Sequence, residues 1–190
     1  MGGLLIKPMQ IKEEISELLK ILDKIKPKIT LEIGTANGGI LFLFSQVATN
    51  DATILSIDLP GGKFGGGYPK WKIPLYKSFA RKNQKIHLIR ADSHSQETLE
   101  KVKNILNGKK IDFLFIDGDH SYEGVREDYQ MYSKLVKRGG IIAFHDILPH
   151  PPETGCDVNR FWLEVREPMR HIEIVKNWSQ GWAGIGMLYV

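Results

Sequence analysis

Cysteine is nearly absent from this chain. Cys156 is the only one in 190 residues, which excludes an internal disulfide framework and fits a reducing compartment such as the cytoplasm. Long apolar runs are missing too, and no window approaches the roughly 20 residues of a membrane span. No sign of charge dominates: 26 Lys and Arg face 22 Asp and Glu, a net +4. With the lysines scattered over expected helix faces, that balance reads as a solvated surface and not as a nucleic-acid footprint. The opening residues Met1–Pro8 are too short for a signal peptide, and Ile6 stands where myristoylation wants Ser or Thr. Repeats, low-complexity tracts and dividing linkers are lacking as well. Residues 1–190 are therefore expected to form one domain, burying roughly 70% of its unfolded surface.

What is present is an alternation of elements. Ile11, Ile15, Leu18, Leu22 and Ile25 recur at helical spacing and predict a helix over 9–25, stopped by Pro27. Strands follow at 29–33, 53–58, 86–91, 111–116 and 141–144. Between them the pattern predicts helices at 38–48, 71–82, 96–106 and 122–136, the last ended by Gly139-Gly140, with a further helix at 157–167. Two final strands, 172–175 and 185–190, lie close enough to pair as a hairpin. Five strand–helix alternations and a terminal hairpin predict a doubly wound α/β sheet.

The most informative segment is Ile111-Asp112-Phe113-Leu114-Phe115-Ile116-Asp117-Gly118-Asp119-His120. Its apolar run suits a strand buried on both faces. It ends in two carboxylates and an imidazole, at the strand end where open α/β sheets bind ligands. Ionisable groups crowded there are costly unless they hold a cation, a cofactor or a reacting proton. The next strand ends likewise, in His145-Asp146.

Glu32-Ile33-Gly34-Thr35-Ala36-Asn37-Gly38-Gly39 follows the first strand and opens a helix. Its glycines permit a tight turn, and the helix start offers free N–H groups. In a dinucleotide fingerprint the second glycine lies against the pyrophosphate. Ala36 stands there and would crowd it. Glu32 is a carboxylate that repels phosphate but attracts an ammonium or sulfonium. Both features favour S-adenosylmethionine over NAD.

That loop, with Asp58 ending the second strand and Ala91-Asp92-Ser93 ending the third, resembles the class I S-adenosylmethionine-dependent methyltransferases. The resemblance runs from Glu32 to Val190 and implies a Rossmann-like, seven-stranded sheet, mostly parallel, with an antiparallel C-terminal hairpin. It implies that Glu32, Gly34, Thr35, Ala36, Asn37 and Gly38 surround the methionine part of the cofactor. Asp58 would accept both ribose hydroxyls, Asp92 and Ser93 would flank the adenine, and Asp117 would help hold the cofactor. As plain alternatives, Asp58 could cap the following loop and Asp92-Ser93 could cap the following helix.

Within that superfamily, Asp117-Gly118-Asp119-His120-Ser121-Tyr122 with Phe144-His145-Asp146 resembles the small metal-dependent O-methyltransferases akin to the cephalosporin and macrolide tailoring enzymes. The resemblance implies a divalent cation, Mg²⁺ or Mn²⁺, held by Asp117 and Asp146 with His145 as a third candidate. An acceptor hydroxyl must be deprotonated and aimed for in-line displacement, which a cation assists. Asp119, His120 and His145 are the candidate bases, and Asp119 is preferred because the single glycine aims it away from Asp117. Mg²⁺ prefers oxygen ligands, so direct binding by His145 would favour Mn²⁺, Fe²⁺ or Zn²⁺. Otherwise His145 is free to act as the base, or is a hydrogen-bonded strand-end residue.

Three rim loops are expected to shape an acceptor pocket: a glycine-rich lid at 61–68, a proline-stiffened wall around His150, and the final turn carrying Trp178 and Trp182. The expected partner is a hydroxylated small molecule, with a homo-oligomer closing the pocket as an option. Base-directed nucleic-acid methyltransferases usually carry Asn/Asp-Pro-Pro-aromatic where Asp117-Gly118-Asp119-His120 stands, and paired carboxylates repel a phosphate backbone. The remaining rivals are an NAD oxidoreductase and a non-catalytic cofactor-binding module.

Overall fold

The computed structural model describes residues 6–64 and 66–190. Seven strands form one sheet: β1 (Ile29–Ile33), β2 (Thr53–Ile57), β3 (Lys85–Ile89), β4 (Ile111–Ile116), β5 (Val136–His145), β6 (His171–Ile174) and β7 (Ile185–Tyr189). Their order is β3-β2-β1-β4-β5-β7-β6. β1 to β5 pair in parallel, while β7 is antiparallel to both β5 and β6. The expected sheet and terminal hairpin are thus both present. The order reverses between β1 and β4, which opens a crevice at their carboxyl ends.

Helices cover both faces, and this is why the strands read as unbroken apolar runs. Phe113 and Phe115 of β4 face α1 (Lys12–Ile25) and α2 (Gly39–Val47). The Phe44 ring of α2 meets Phe113 edge-on at 5.1 Å, a geometry that adds about 0.5–1.5 kcal/mol beyond burial. Leu114 and Ile116 point the other way, into a core closed by α4 (Gln96–Leu106), α5 (Tyr122–Tyr132) and α6 (Val158–Arg166). α3 (Lys72–Lys77) and the turn after it cover β2 and β3 through Tyr76 and Phe79.

Two helices end four or five residues before the expected boundary. The predicted helix over 122–136 stops at Tyr132, and a 3-10 turn, Ser133–Leu135, leads into β5. Gly139-Gly140 lies inside that strand: Val136 already pairs with Ile111, and the register shifts before Phe113 meets Ile141. The predicted helix over 71–82 is only 72–77, since the Ser78 hydroxyl donates to the Leu75 carbonyl and Lys82 turns at φ +51°. α1 starts at Lys12 rather than near Met9. Residues 7–8 instead lie across the start of α2, where a Cβ on Gly39 would overlap Pro8.

Among the described residues no helix is long and apolar enough to cross a membrane.

Candidate active site

A cavity of about 680 Å³ occupies the crevice between β1 and β4. Its floor is the turn after β1. Gly34 adopts φ +99°, and a Cβ there would overlap the Asp117 carbonyl oxygen at the end of β4. Only glycine lets the two strand ends approach this closely. Ala36 takes the left-handed region at φ +42°, an uncommon conformation for a residue with a side chain. Gly34, Thr35, Ala36 and Asn37 line the cavity. Gly38 does not; it caps α2 at φ +72° beneath the Tyr76 ring.

Glu32 also lies outside the cavity lining. Its carboxylate is buried and accepts the Ser56 hydroxyl, which in turn meets Thr35 Oγ1. Burial drives its pKa up to about 8, the Ser56 hydrogen bond opposes this, and the charges of Asp117 and Asp58 add to it. Glu32 therefore supports the loop from below and does not project into it.

Asp58 ends β2 on the cavity wall, and its Oδ2 accepts the Gly67 N–H at 2.9 Å. Burial raises its pKa to about 6 against the backbone hydrogen bonds of Gly67, Ala36 and Thr35. Asp92 and Ser93 line the same side. Asp92 Oδ1 accepts the N–H of His94, two residues on, while Ser95 stands at the N-cap of α4. The helix-cap alternative for this pair does not hold.

The opposite end is a cluster of acids and imidazoles. Asp117, His145 and Asp146 each offer a donor atom within 4.8 Å of the other two. His145 Nδ1 sits 3.2 Å from Asp117 Oδ1 and 3.1 Å from Asp146 Oδ1. Yet neither ring nitrogen of this buried residue finds an aligned hydrogen-bond partner among the described residues. Asp146 holds φ +62°, a left-handed conformation that turns its carboxylate inward from the strand end. Burial weighs against ionising Asp146, but His145, His120 and His150 hold its pKa well below the usual carboxylate range. Burial likewise opposes a charge on His145, and the two carboxylates overcome it, so its pKa lies well above the ordinary imidazole value. A buried imidazole with idle nitrogens between two carboxylates is a donor set suited to a divalent cation.

Of the candidate bases, His120 is placed most favourably. Its Nδ1 meets Asp146 Oδ2 at 2.6 Å, and its Nε2 lies 4.0 Å from Asp117 Oδ1. Burial lowers its pKa, but hydrogen bonds with Asp146 and Cys156 and the charge of Asp117 bring it to about 10. Asp119 lines the cavity but is committed elsewhere: Oδ1 accepts the Ser121 N–H, and its carboxyl group packs against Gly124 at the start of α5. Both contacts hold the Asp119 carboxylate at the start of α5.

Several lining residues lay beyond sequence reasoning. Gln10 Nε2 donates to Asp117 Oδ2 at 2.5 Å, across 107 positions. Cys156 and Thr154 arrive from the segment after β5. His94 lines the cavity beside Asp92 and Ser93; its proximity to them in sequence was the only available signal. Of the expected rim loops, Lys63 and Phe64 reach the cavity, with the Phe64 ring 5.1 Å from His120. Gly65 lies outside the described residues. His150 and Trp182 also line it, whereas Trp178 is exposed and does not.

Known proteins resemble this chain in sequence and in fold. The family model described as "Methyltransferase domain" matches residues 31–147. An uncharacterised protein of Acanthamoeba polyphaga mimivirus is 34% identical over 138 residues, covering 72% of this chain and 60% of that protein. A caffeoyl-CoA O-methyltransferase of Populus kitakamiensis is 29% identical over 163 residues, covering 85% and 61%. This chain thus spans about 60% of the length of either relative. Among solved structures, an O-methyltransferase of Bacillus cereus in complex with S-adenosylhomocysteine superposes with a TM-score of 0.66 at 15% identity, over 97% of this chain and 84% of that one. That last likeness is one of fold.

Proposed function

The chain belongs to the methyltransferase-domain family matched over residues 31–147, and on that premise we propose that it transfers a methyl group from S-adenosylmethionine to a hydroxyl of a small molecule, assisted by a divalent cation. The observation that carries this reading is the arrangement within one cavity: a turn and Asp58 suited to a nucleoside at one end, Asp117, His145 and Asp146 suited to a cation at the other.

Asp58 presents a carboxylate to the ribose hydroxyls, a charge-assisted pairing stronger than a neutral one. The left-handed turn at Gly34 and Ala36 turns backbone groups toward the methionine part. The donor would supply a sulfonium-bound methyl group, transferred in line to the acceptor oxygen as the carbon–sulfur bond breaks and S-adenosylhomocysteine leaves. Asp117, Asp146 and His145 would hold the cation, which supplies positive charge that lowers the acceptor hydroxyl's pKa and fixes its direction. His120 takes the hydroxyl proton on Nε2, while Asp146 holds Nδ1–H and so sets the tautomer, as in base–orienter pairs generally. Once Asp117 and Asp146 are committed to a cation, the charges that keep His120 protonated are compensated. Phe64 and Trp182 offer apolar walls for a ring-bearing acceptor. The name of the poplar relative points to hydroxylated phenols as the first class to try, and the single cysteine fits a cytoplasmic setting.

The test is a methyl-transfer screen over hydroxylated phenols and sugars with Mg²⁺, Mn²⁺ or chelator. Turnover with metal, its loss in chelator, and its loss in Asp117→Asn and Asp146→Asn are expected. Asn tolerates the left-handed backbone at 146, so that variant isolates the charge. Full turnover in chelator would remove the cation from the scheme.

A further inference from the structure

Cys156 has no part in the reaction above, yet its place is well constructed. The Asp157 N–H donates to the His120 carbonyl at 2.8 Å, which ties the Cys156 loop to the end of β4. Gly155 reverses the chain at φ +66°, and Thr154 Oγ1 accepts the Cys156 N–H. One donor atom from each of His120, Asp146 and Cys156 then lies within 4.8 Å of the other two.

Asp146 faces both groups, with one oxygen each. Its Oδ2 is 2.6 Å from His120, while its Oδ1 is 3.1 Å from His145. His150 Nε2 also lies 3.1 Å from Oδ1, and the Ala183 N–H before β7 lies 3.2 Å from the same nitrogen.

We infer that His120, Asp146 and Cys156 form a second cation site, which shares Asp146 with the Asp117–His145–Asp146 group and selects a soft ion such as Zn²⁺. Sulfur, imidazole nitrogen and carboxylate oxygen form a zinc-type set, whereas Mg²⁺ takes oxygen. Three protein ligands leave the fourth position open to the cavity, as in non-structural zinc sites. When the metal–sulfur bond forms, the thiol proton passes to solvent and no electrons are transferred. A zinc ion there would occupy His120. That consequence alone rests on the methyl-transfer reading; binding itself does not.

The decisive experiment titrates the whole, metal-free chain with Co²⁺ and follows the sulfur-to-cobalt charge-transfer absorption. The chain has one cysteine, so any such band reports Cys156. The band should saturate with one ion, vanish in Cys156→Ser, and persist in Asp117→Asn. Zn²⁺ affinity, measured against a chromophoric chelator, should fall in His120→Gln and Asp146→Asn by more than the roughly 10–100-fold that loss of an outer-shell partner costs. Cobalt binding without the band would overturn the site, as would unchanged zinc affinity in Cys156→Ser or His120→Gln. A chain that binds S-adenosylhomocysteine but gives no band refutes the second site alone. A chain with the band that fails to bind S-adenosylhomocysteine refutes the methyl-transfer reading alone.

Discussion

Replacing Asp58 with Asn separates two effects of one carboxylate. In the free protein Asp58 is buried, accepts the Gly67 N–H, and has its pKa raised to about 6, chiefly by burial. Its folded pKa lies above the ordinary carboxyl value of 3.8, so the folded state binds the extra proton between those values. By linkage, stability from this group falls as pH rises through that window. At pH 7.5 the anion is therefore a cost to folding. Asn keeps an acceptor for Gly67 and removes the charge, so the melting temperature without ligand should hold or rise. Cofactor binding should move the opposite way. One carboxylate oxygen becomes an NH₂ donor, which leaves a ribose hydroxyl with a weaker or opposed partner. A hydrogen bond to a charged group is worth about 1.5–3 kcal/mol, and 1.4 kcal/mol is tenfold, so S-adenosylhomocysteine should bind about 10–100-fold more weakly. Calorimetric titration reads the affinity and thermal unfolding the stability. In the wild type, affinity should also decline below pH 6 as Asp58 protonates, and the Asn variant should lose that dependence. Equal affinity in the two proteins would refute the assignment of this wall to the nucleoside.

Three further outcomes are expected. Glu32 is buried, with its pKa raised to about 8 from the ordinary value of 4.5. The folded state thus binds the extra proton between pH 4.5 and 8, wild-type stability should fall across that range, and Glu32→Gln should flatten the fall; a matching slope in the variant would contradict the burial argument. Glu14, at 0% exposure in α1, accepts N–H groups from Lys176, Gln180 and Gly184. Only the Gly184 N–H is fully buried, so Glu14→Ala orphans that donor at about 1–3 kcal/mol, and the midpoint should drop by roughly 2–12 °C at about 2–4 °C per kcal/mol. It should also raise the acceptor KM, because Trp182 rides on the same turn. Gly34→Ala places a methyl against the Asp117 carbonyl at a φ few side chains adopt; a loss of about 2–4 kcal/mol in denaturant unfolding is expected, and no loss would mean that the strand ends can separate freely.

Local signals were legible where one force acted alone. β4 at 111–116 and α4 at 96–106 match the expected boundaries to the residue, because two-sided burial and an uninterrupted helical period leave little choice. Boundaries moved where a tertiary partner competed with the local pattern. The helix expected from Met9 begins at Lys12, since the preceding residues cross α2 and Gln10 reaches Asp117. Asp119 looked free in the sequence; in the fold, its own helix start claims it.

From the chain alone, the order of strands and helices, the crevice at their carboxyl ends, and the acids and imidazoles assigned to it could be derived. Burial and periodicity are written along the backbone, and sheet topology brings strand ends to one rim. The positions of Gln10, Thr154 and Cys156 at that rim were decided by tertiary structure only. Each comes from a loop or terminal segment whose course is set by contacts with partners far away in sequence, and no local period encodes such contacts.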